Sequence, residues 1–297
     1  FFMKRFFFFF FFLFSILGFS QSKELKILLQ KTLSLEKTEN YTAAKQLFKT
    51  FEKQNSTLIS EKEFAKTYLL YYDYMISEDL KNLDNAFKTA QNWQDRKSYQ
   101  TELLLKLYIS KSHVITITKN RNESLEFILK GYQLPDFRQA KIETKANYLY
   151  EIGTAYRETN NPYKAIDFYK KALDLKIKEK GENNADIAIQ YNALGDAYVE
   201  NYNPTKGNEY YKKSIGVLEK INTNQPNEID ELLTGYRNLI RSLLEYGAID
   251  EAKIINDKCN TLFFKHKKEL KTTSQETYYH ARQRQIASNI SYLGTTG

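Results

Sequence analysis

Three features of the amino-acid sequence predict an all-α fold built from stacked antiparallel helix pairs. The first is an internal repeat, because shifting Gly153–Lys171 forward by 42 residues brings ten identities into register. Gly153 meets Gly195, Ala155 meets Ala197, Tyr156 meets Tyr198 and Glu158 meets Glu200. Asn161 and Pro162 meet Asn203 and Pro204, Lys164 meets Lys206, and Tyr169, Lys170 and Lys171 meet Tyr211, Lys212 and Lys213. A fixed period of roughly 20 to 50 residues marks a repeat architecture. The second feature is composition: 11 Gly and 4 Pro stand against 23 Tyr and 20 Phe, so turn chemistry is scarce and aromatic volume is abundant. The third is the spacing of three and four between Leu149, Ile152, Gly153 and Tyr156, which places them on one helical face.

The elements follow in chain order. Met3, Lys4 and Arg5 precede an apolar run from Phe6 to Leu17 broken by Ser15, and Gly18-Phe19-Ser20 sets small residues before a cut at Gln21. Residues 3–20 therefore read as a secretory signal, shorter than the roughly 20 apolar residues of a spanning helix. Export to the periplasm, or another extracytoplasmic space of a Gram-negative bacterium, is the expectation. An uncleaved signal or a missing C-terminal segment would be the only membrane attachment. No cysteine lies near the cut to take a lipid.

Residues 21–140 are expected to hold divergent helix pairs, 141–265 the clear repeats, and 266–297 the start of a further helix. Taking the small residue of each second helix as an anchor, the pattern runs through Ala44, Ala86, Ser124, Ala165, Gly207 and Ala252. Six helix pairs are predicted. Pro162 and Pro204 mark where the first helix of a pair has ended, since proline cannot continue a helix interior. Gly181 suits a helix C-cap, and Asp186 lies where negative charge favours the start of the next helix.

The residues of this unit resemble the tetratricopeptide repeat (TPR) pattern: Leu149, Ile152, Gly153 and Tyr156, then Ala165, Tyr169 and Ala172. The second copy carries Tyr191, Leu194, Gly195, Tyr198, Gly207, Tyr211 and Ser214. The long step and the stretch Ala172–Ala188 are similar to kinesin-light-chain-like repeats, whose His-Pro is here Asn183-Asn184. The resemblance implies a right-handed α-α superhelix, a solenoid with a groove lined by its first helices. It also implies a non-enzymatic scaffold that binds a peptide or partner helix.

Counted from the motif, the groove positions are Asn147, Tyr150, Thr154 and Arg157, then Asn192 and Asp196, then Arg237, Asn238 and Arg241. Asn can pair with a peptide's amide and carbonyl together, Arg forks onto carboxylate, and Tyr supplies rigid apolar area. Polar residues on a helix face are ordinarily just solvated. Asn192 is the position best matched to the subclass. Asp196 and Tyr150 stand where a dicarboxylate clamp would need its partners, so that specificity is not carried over.

No cofactor is implied. His113, His266, His280 and the single Cys259 have no metal-ligand spacing, and a lone cysteine forms no internal disulfide. The net charge of +8 is spread over Lys interleaved with acids, which argues against nucleic acid. Cys259, Trp93 and the cluster Tyr68, Tyr71, Tyr72 and Tyr74 are read as packing, and Glu61 and Glu63 as surface residues. No nucleophile elbow, phosphate loop, dinucleotide fingerprint or zinc signature occurs, so no enzyme is expected. A second reading makes the chain the sensory half of a longer protein that continues into a histidine kinase or a caspase-like peptidase.

Overall fold

The computed structural model describes residues 22–54, 59–94, 96–221 and 226–266. The expected signal at 3–20 lies outside them, as do residues 267–297 and His280. The described residues form twelve α-helices and one short 3-10 turn, with no strand. They divide into two compact units, unit 1 up to Lys141 and unit 2 from Ile142.

Unit 1 holds three helix pairs: α1 (Lys23–Lys37) with α2 (Tyr41–Glu52), α3 (Ile59–Ser77) with α4 (Leu80–Gln91), and α5 (Ser98–Thr118) with α6 (Arg121–Tyr132). Unit 2 holds three more: α7 (Ile142–Glu158) with α8 (Pro162–Lys180), α9 (Ala185–Glu200) with α10 (Pro204–Ile221), and α11 (Pro226–Glu245) with α12 (Ile249–His266). Within each unit every helix packs on the next, and the first helices α3 and α5, or α9 and α11, also meet directly. This arrangement is an α-α solenoid.

All six sequence anchors are buried on second helices: Ala44, Ala86, Ser124, Ala165, Gly207 and Ala252. Ser124 brings a hydroxyl into the crossing. That hydroxyl is satisfied, since it donates to the Ser112 carbonyl at 2.8 Å and accepts from Thr116 Oγ1 at 2.7 Å. Four residues before the anchor, Asn40, Asn120, Asn161 and Asn203 each accept the backbone N–H three residues on. These caps satisfy donors left open at a helix start, and Pro162 and Pro204 follow as first helical residues, where no donor is needed. One residue earlier still, Glu39, Asn160, Tyr202 and Gly247 take φ of 56°, 58°, 58° and 78°. The chain thus reverses through one left-handed residue at the same repeat position in four pairs.

Close approach explains the repeated glycines. A Cβ on Gly153 would stand 2.6 Å from the ring of Tyr169, and one on Gly195 would meet Tyr211 more closely still. The second-helix tyrosine lies across the first-helix glycine, and both rings are buried. Gly207 is held by Val199 and the Gly195 carbonyl, 2.9 Å from where its Cβ would be.

Cys259, Trp93, Tyr68, Tyr71 and Tyr72 are buried as packing residues, while Tyr74 is partly exposed. Gly181 closes α8 at φ 75°, and Asp186 pairs with Lys180 and, at 3.6 Å, with Lys176. Glu61 corrects the sequence reading. It is fully buried, because its carboxylate accepts Ser22 N–H at 2.9 Å and Ser22 Oγ at 2.8 Å, tying the start of α1 to α3. Glu63 is exposed as expected.

Candidate functional site

The predicted groove positions all lie on α7, α9 and α11, the first helices of unit 2. Their geometry starts from the glycine–tyrosine packing. Because Tyr169 lies on Gly153, its hydroxyl reaches the next residue, Thr154 Oγ1, at 3.1 Å. In the following pair Tyr211 lies on Gly195 and donates to Asp196 Oδ1 at 2.7 Å. The same backbone register therefore presents a hydroxyl in one pair and a carboxylate in the next.

Asp196 is the hub of the site. Arg157 Nη1 donates to its Oδ2 at 2.7 Å from α7. From α11, Asn238 Nδ2 donates to Oδ1 at 3.3 Å and Arg241 Nη2 stands 3.5 Å from the same oxygen. Glu200 adds a second acid, 3.8 Å from Arg157 Nε. One carboxylate thus links three successive first helices. Burial works against the Arg157 charge, but Tyr169, Asp196 and Glu200 outweigh it and hold the guanidinium above its ordinary range. Burial raises Tyr211, and the neighbouring Asp196 charge raises it further. Glu200 is likewise raised by burial, against the pull of Arg157.

The remaining positions divide. Tyr150 packs its ring 5.3 Å from that of Tyr169, and burial raises its hydroxyl. Asn147 is exposed. Arg237 Nη2 donates to Thr234 Oγ1 on its own helix at 2.6 Å. Asn192 is buried in the packing between α9 and α11: its Nδ2 donates to Glu231 Oε1 at 2.6 Å, and its Oδ1 is 3.4 Å from where a Cβ on Gly235 would stand. Burial raises the Glu231 carboxyl, opposed by that hydrogen bond. Sequence reasoning missed Glu231, Glu200 and the hydroxyl roles of Tyr169 and Tyr211. The sixteen-residue spacing from Gly153 to Tyr169 and from Gly195 to Tyr211 is the signal that could have found the last two.

Among the described residues no group of three His, Cys, Asp or Glu could hold a metal ion, and no helix is long and apolar enough to cross a membrane.

Solved structures with this arrangement of helices decide the fold. BtubC (BKLC) from P. vanneervenii matches 82% of this chain and 91% of its own at 15% identity, with a TM-score of 0.55. Nearly identical TPR-like repeats of a kinesin light chain from Podospora anserina match 68% of this chain and 95% of their own at 13% identity, with a TM-score of 0.53. A Rap protein complexed with Competence and Sporulation Factor matches 91% of this chain and 78% of its own at 12% identity, with a TM-score of 0.61. The fold is a tetratricopeptide-type solenoid. No protein-family model matches the sequence, and no curated protein does. In this TPR fold the site built on Asp196 occupies the first-helix face, the one assigned to the groove from the motif.

Proposed function

We propose that the chain is a non-enzymatic interaction scaffold whose first-helix face in unit 2 binds an extended peptide or a partner helix. The observation that carries this reading is the Asp196 hub. It orients Arg157, Asn238 and Arg241 from three successive helices, and Arg241 keeps half of its side chain exposed. A guanidinium has five donors, so one contact to Asp196 leaves donors for a ligand's carbonyl or carboxylate oxygens. Preorganised donors on rigid helices lower the ordering cost of binding. The solenoid fold shared with a Rap protein that was solved together with a factor supports the reading. The leader-like Met3–Ser20 supports placing the scaffold outside the cytoplasm, which fractionation of cells expressing the tagged full sequence would check.

The test is affinity capture from envelope extract with the wild-type chain and an Asn147→Arg, Arg241→Glu variant whose helicity matches it by circular dichroism. Partners recovered by the wild type should be lost from the variant. Equal recovery of every partner would sink the assignment of this face.

A further inference from the structure

A second face of unit 2 carries chemistry that the Asp196 site does not use. Tyr156 and Tyr198 lie two residues beyond Thr154 and Asp196, roughly 200° around their helices, and so point away from the hub. Tyr156 stacks on Phe168 of α8 at 5.4 Å and 26° between planes. Tyr198 stacks on Tyr210 of α10 at 5.3 Å and 10°. Lysines cover these pairs. Lys164 Nζ stands 5.2 Å from the centre of the Tyr156 ring and Lys171 Nζ 4.8 Å from that of Phe168. The corresponding Lys206 and Lys213 stand 5.8 Å and 5.1 Å from Tyr210, and Lys170 stands 5.6 Å from Tyr198 between the two sets.

This strip is cationic by construction. Among the described residues Lys206 pairs with Glu209 at 2.6 Å, whereas Lys164, Lys170, Lys171 and Lys213 make no ion pair. Aromatic rings hold these ammonium groups in place, Lys170 through a hydrogen bond to the Tyr198 hydroxyl as well, and leave N–H donors for solvent. The strip is also bounded. At the matching positions α12 keeps Lys258 for Lys213 but carries Glu251 and Asp257 in place of Lys206 and Lys212, and Glu251 neutralises Lys212 at 2.7 Å. Beside it stand two tyrosines, Tyr163 at 69% exposure in the first turn of α8 and Tyr202 at 92% in the turn before α10. Both offer rigid apolar contact area.

We infer that this lysine–aromatic strip on α8 and α10 is a second docking surface, complementary to an acidic segment of polypeptide. The ring faces of Tyr156, Phe168, Tyr198 and Tyr210 are engaged in stacking and by lysines, which leaves Tyr163 and Tyr202, one at the start of each helix, rather than a continuous platform for successive bases. Asp167, Asp174 and Glu209 on the same two helices interrupt the positive field, which suits spaced carboxylates better than a phosphate backbone with a charge at every step. Tyr163 and Tyr202 would meet the uncharged residues between those carboxylates.

Fluorescence anisotropy tests this with a fluorescein-labelled peptide of repeating Glu-Ser-Leu, added to the full chain at low and at high salt. The wild type should bind, and more weakly as salt screens the contact. A variant with Lys164→Gln, Lys171→Gln, Lys206→Gln and Lys213→Gln should bind at least about tenfold more weakly. The same four positions changed to Arg should keep the affinity, as should Arg241→Glu, which separates this surface from the Asp196 site. The single change Lys171→Glu serves as the weakened form if the fourfold variant fails to fold. No binding by the wild type, or unchanged affinity in the weakened form, overturns the proposal. So does binding to oligothymidylate or to phosphatidylserine vesicles that equals or exceeds binding to the peptide.

Discussion

Units 1 and 2 solve one architectural problem differently. Each stacks three helix pairs, yet the second helices of unit 1 have 12 residues apiece while those of unit 2 have 19, 18 and 18. Each also runs a polar link across its three first helices. In unit 1, Lys106 Nζ of α5 donates to Glu36 of α1 at 2.6 Å, and Tyr72 of α3 donates to the other oxygen of Glu36 at 2.9 Å. Tyr68 stands 3.4 Å from Lys106 and stacks on Phe48 at 4.5 Å, inside a cluster that includes Tyr71. Burial works against the Lys106 charge, but Tyr68 and Glu36 outweigh it and hold the ammonium above its ordinary range. In unit 2 the link is Arg157, Asp196, Asn238 and Arg241, with Arg241 half exposed. A link packed against rings, with its carboxylate largely buried, holds helices together. One that ends in exposed guanidinium can hold helices and still meet a ligand.

The ring-packed link should be the more costly to break. Lys106→Ala leaves Glu36 largely buried without its cation, and breaking such a pair costs roughly 3–5 kcal/mol when fully buried. With Lys106 a third exposed, about 2–3 kcal/mol is expected, read as a shift of the urea midpoint of unit 1. Adding Glu36→Ala should recover part of it.

Gly195→Ala tests the packing beneath the open link. Its methyl group would collide with the Tyr211 ring, and overpacking of this kind costs roughly 1–3 kcal/mol. The matching change Gly216→Ala, where nothing lies within 4 Å, should not destabilise the protein. Asp196→Ala removes the hub itself, leaving Arg157 only its longer contact to Glu200 and taking from the Tyr211 hydroxyl its carboxylate acceptor. Because Arg157 and Asp196 are partly exposed, about 1–2 kcal/mol is expected in the same denaturation assay.

Alkali should not distinguish the units. Burial pushes Tyr71 of unit 1 and Tyr169 of unit 2 each up to about 12. A phenol raised in the folded state contributes stability that is complete below its unfolded value near 10 and is lost as pH rises to about 12. Tyrosinate absorbance and helicity followed together should show both units weakening in that window. The smallest effect is a gain. Tyr202 holds φ 58° with 92% of its surface exposed, so Tyr202→Gly should stabilise unit 2 by about 0.5–1 kcal/mol. A loss would show that the exposed ring has packing value.

Much of this was legible in the sequence because local rules govern it. The anchors, the glycine facing a tyrosine, and Cys259 in the place of Ala172 and Ser214 all follow from helical spacing and the repeat. Glu61 was misread because its partner, Ser22, lies 39 residues away, and nothing near Glu61 distinguishes it from its exposed neighbour Glu63. Asn192 was assigned to the groove by register. Whether it is open depends on Gly235, which has no side chain and lets α11 settle against it.

The sequence by itself determined that the chain is a solenoid of helix pairs and which face of each helix is buried, because period and residue size act within one repeat. Only the tertiary structure decided which groove-register side chains meet. Asp196 became a hub, and Asn192 a buried partner of Glu231, through contacts between repeats. Those contacts depend on how closely each helix pair approaches the next, a distance that no single repeat encodes.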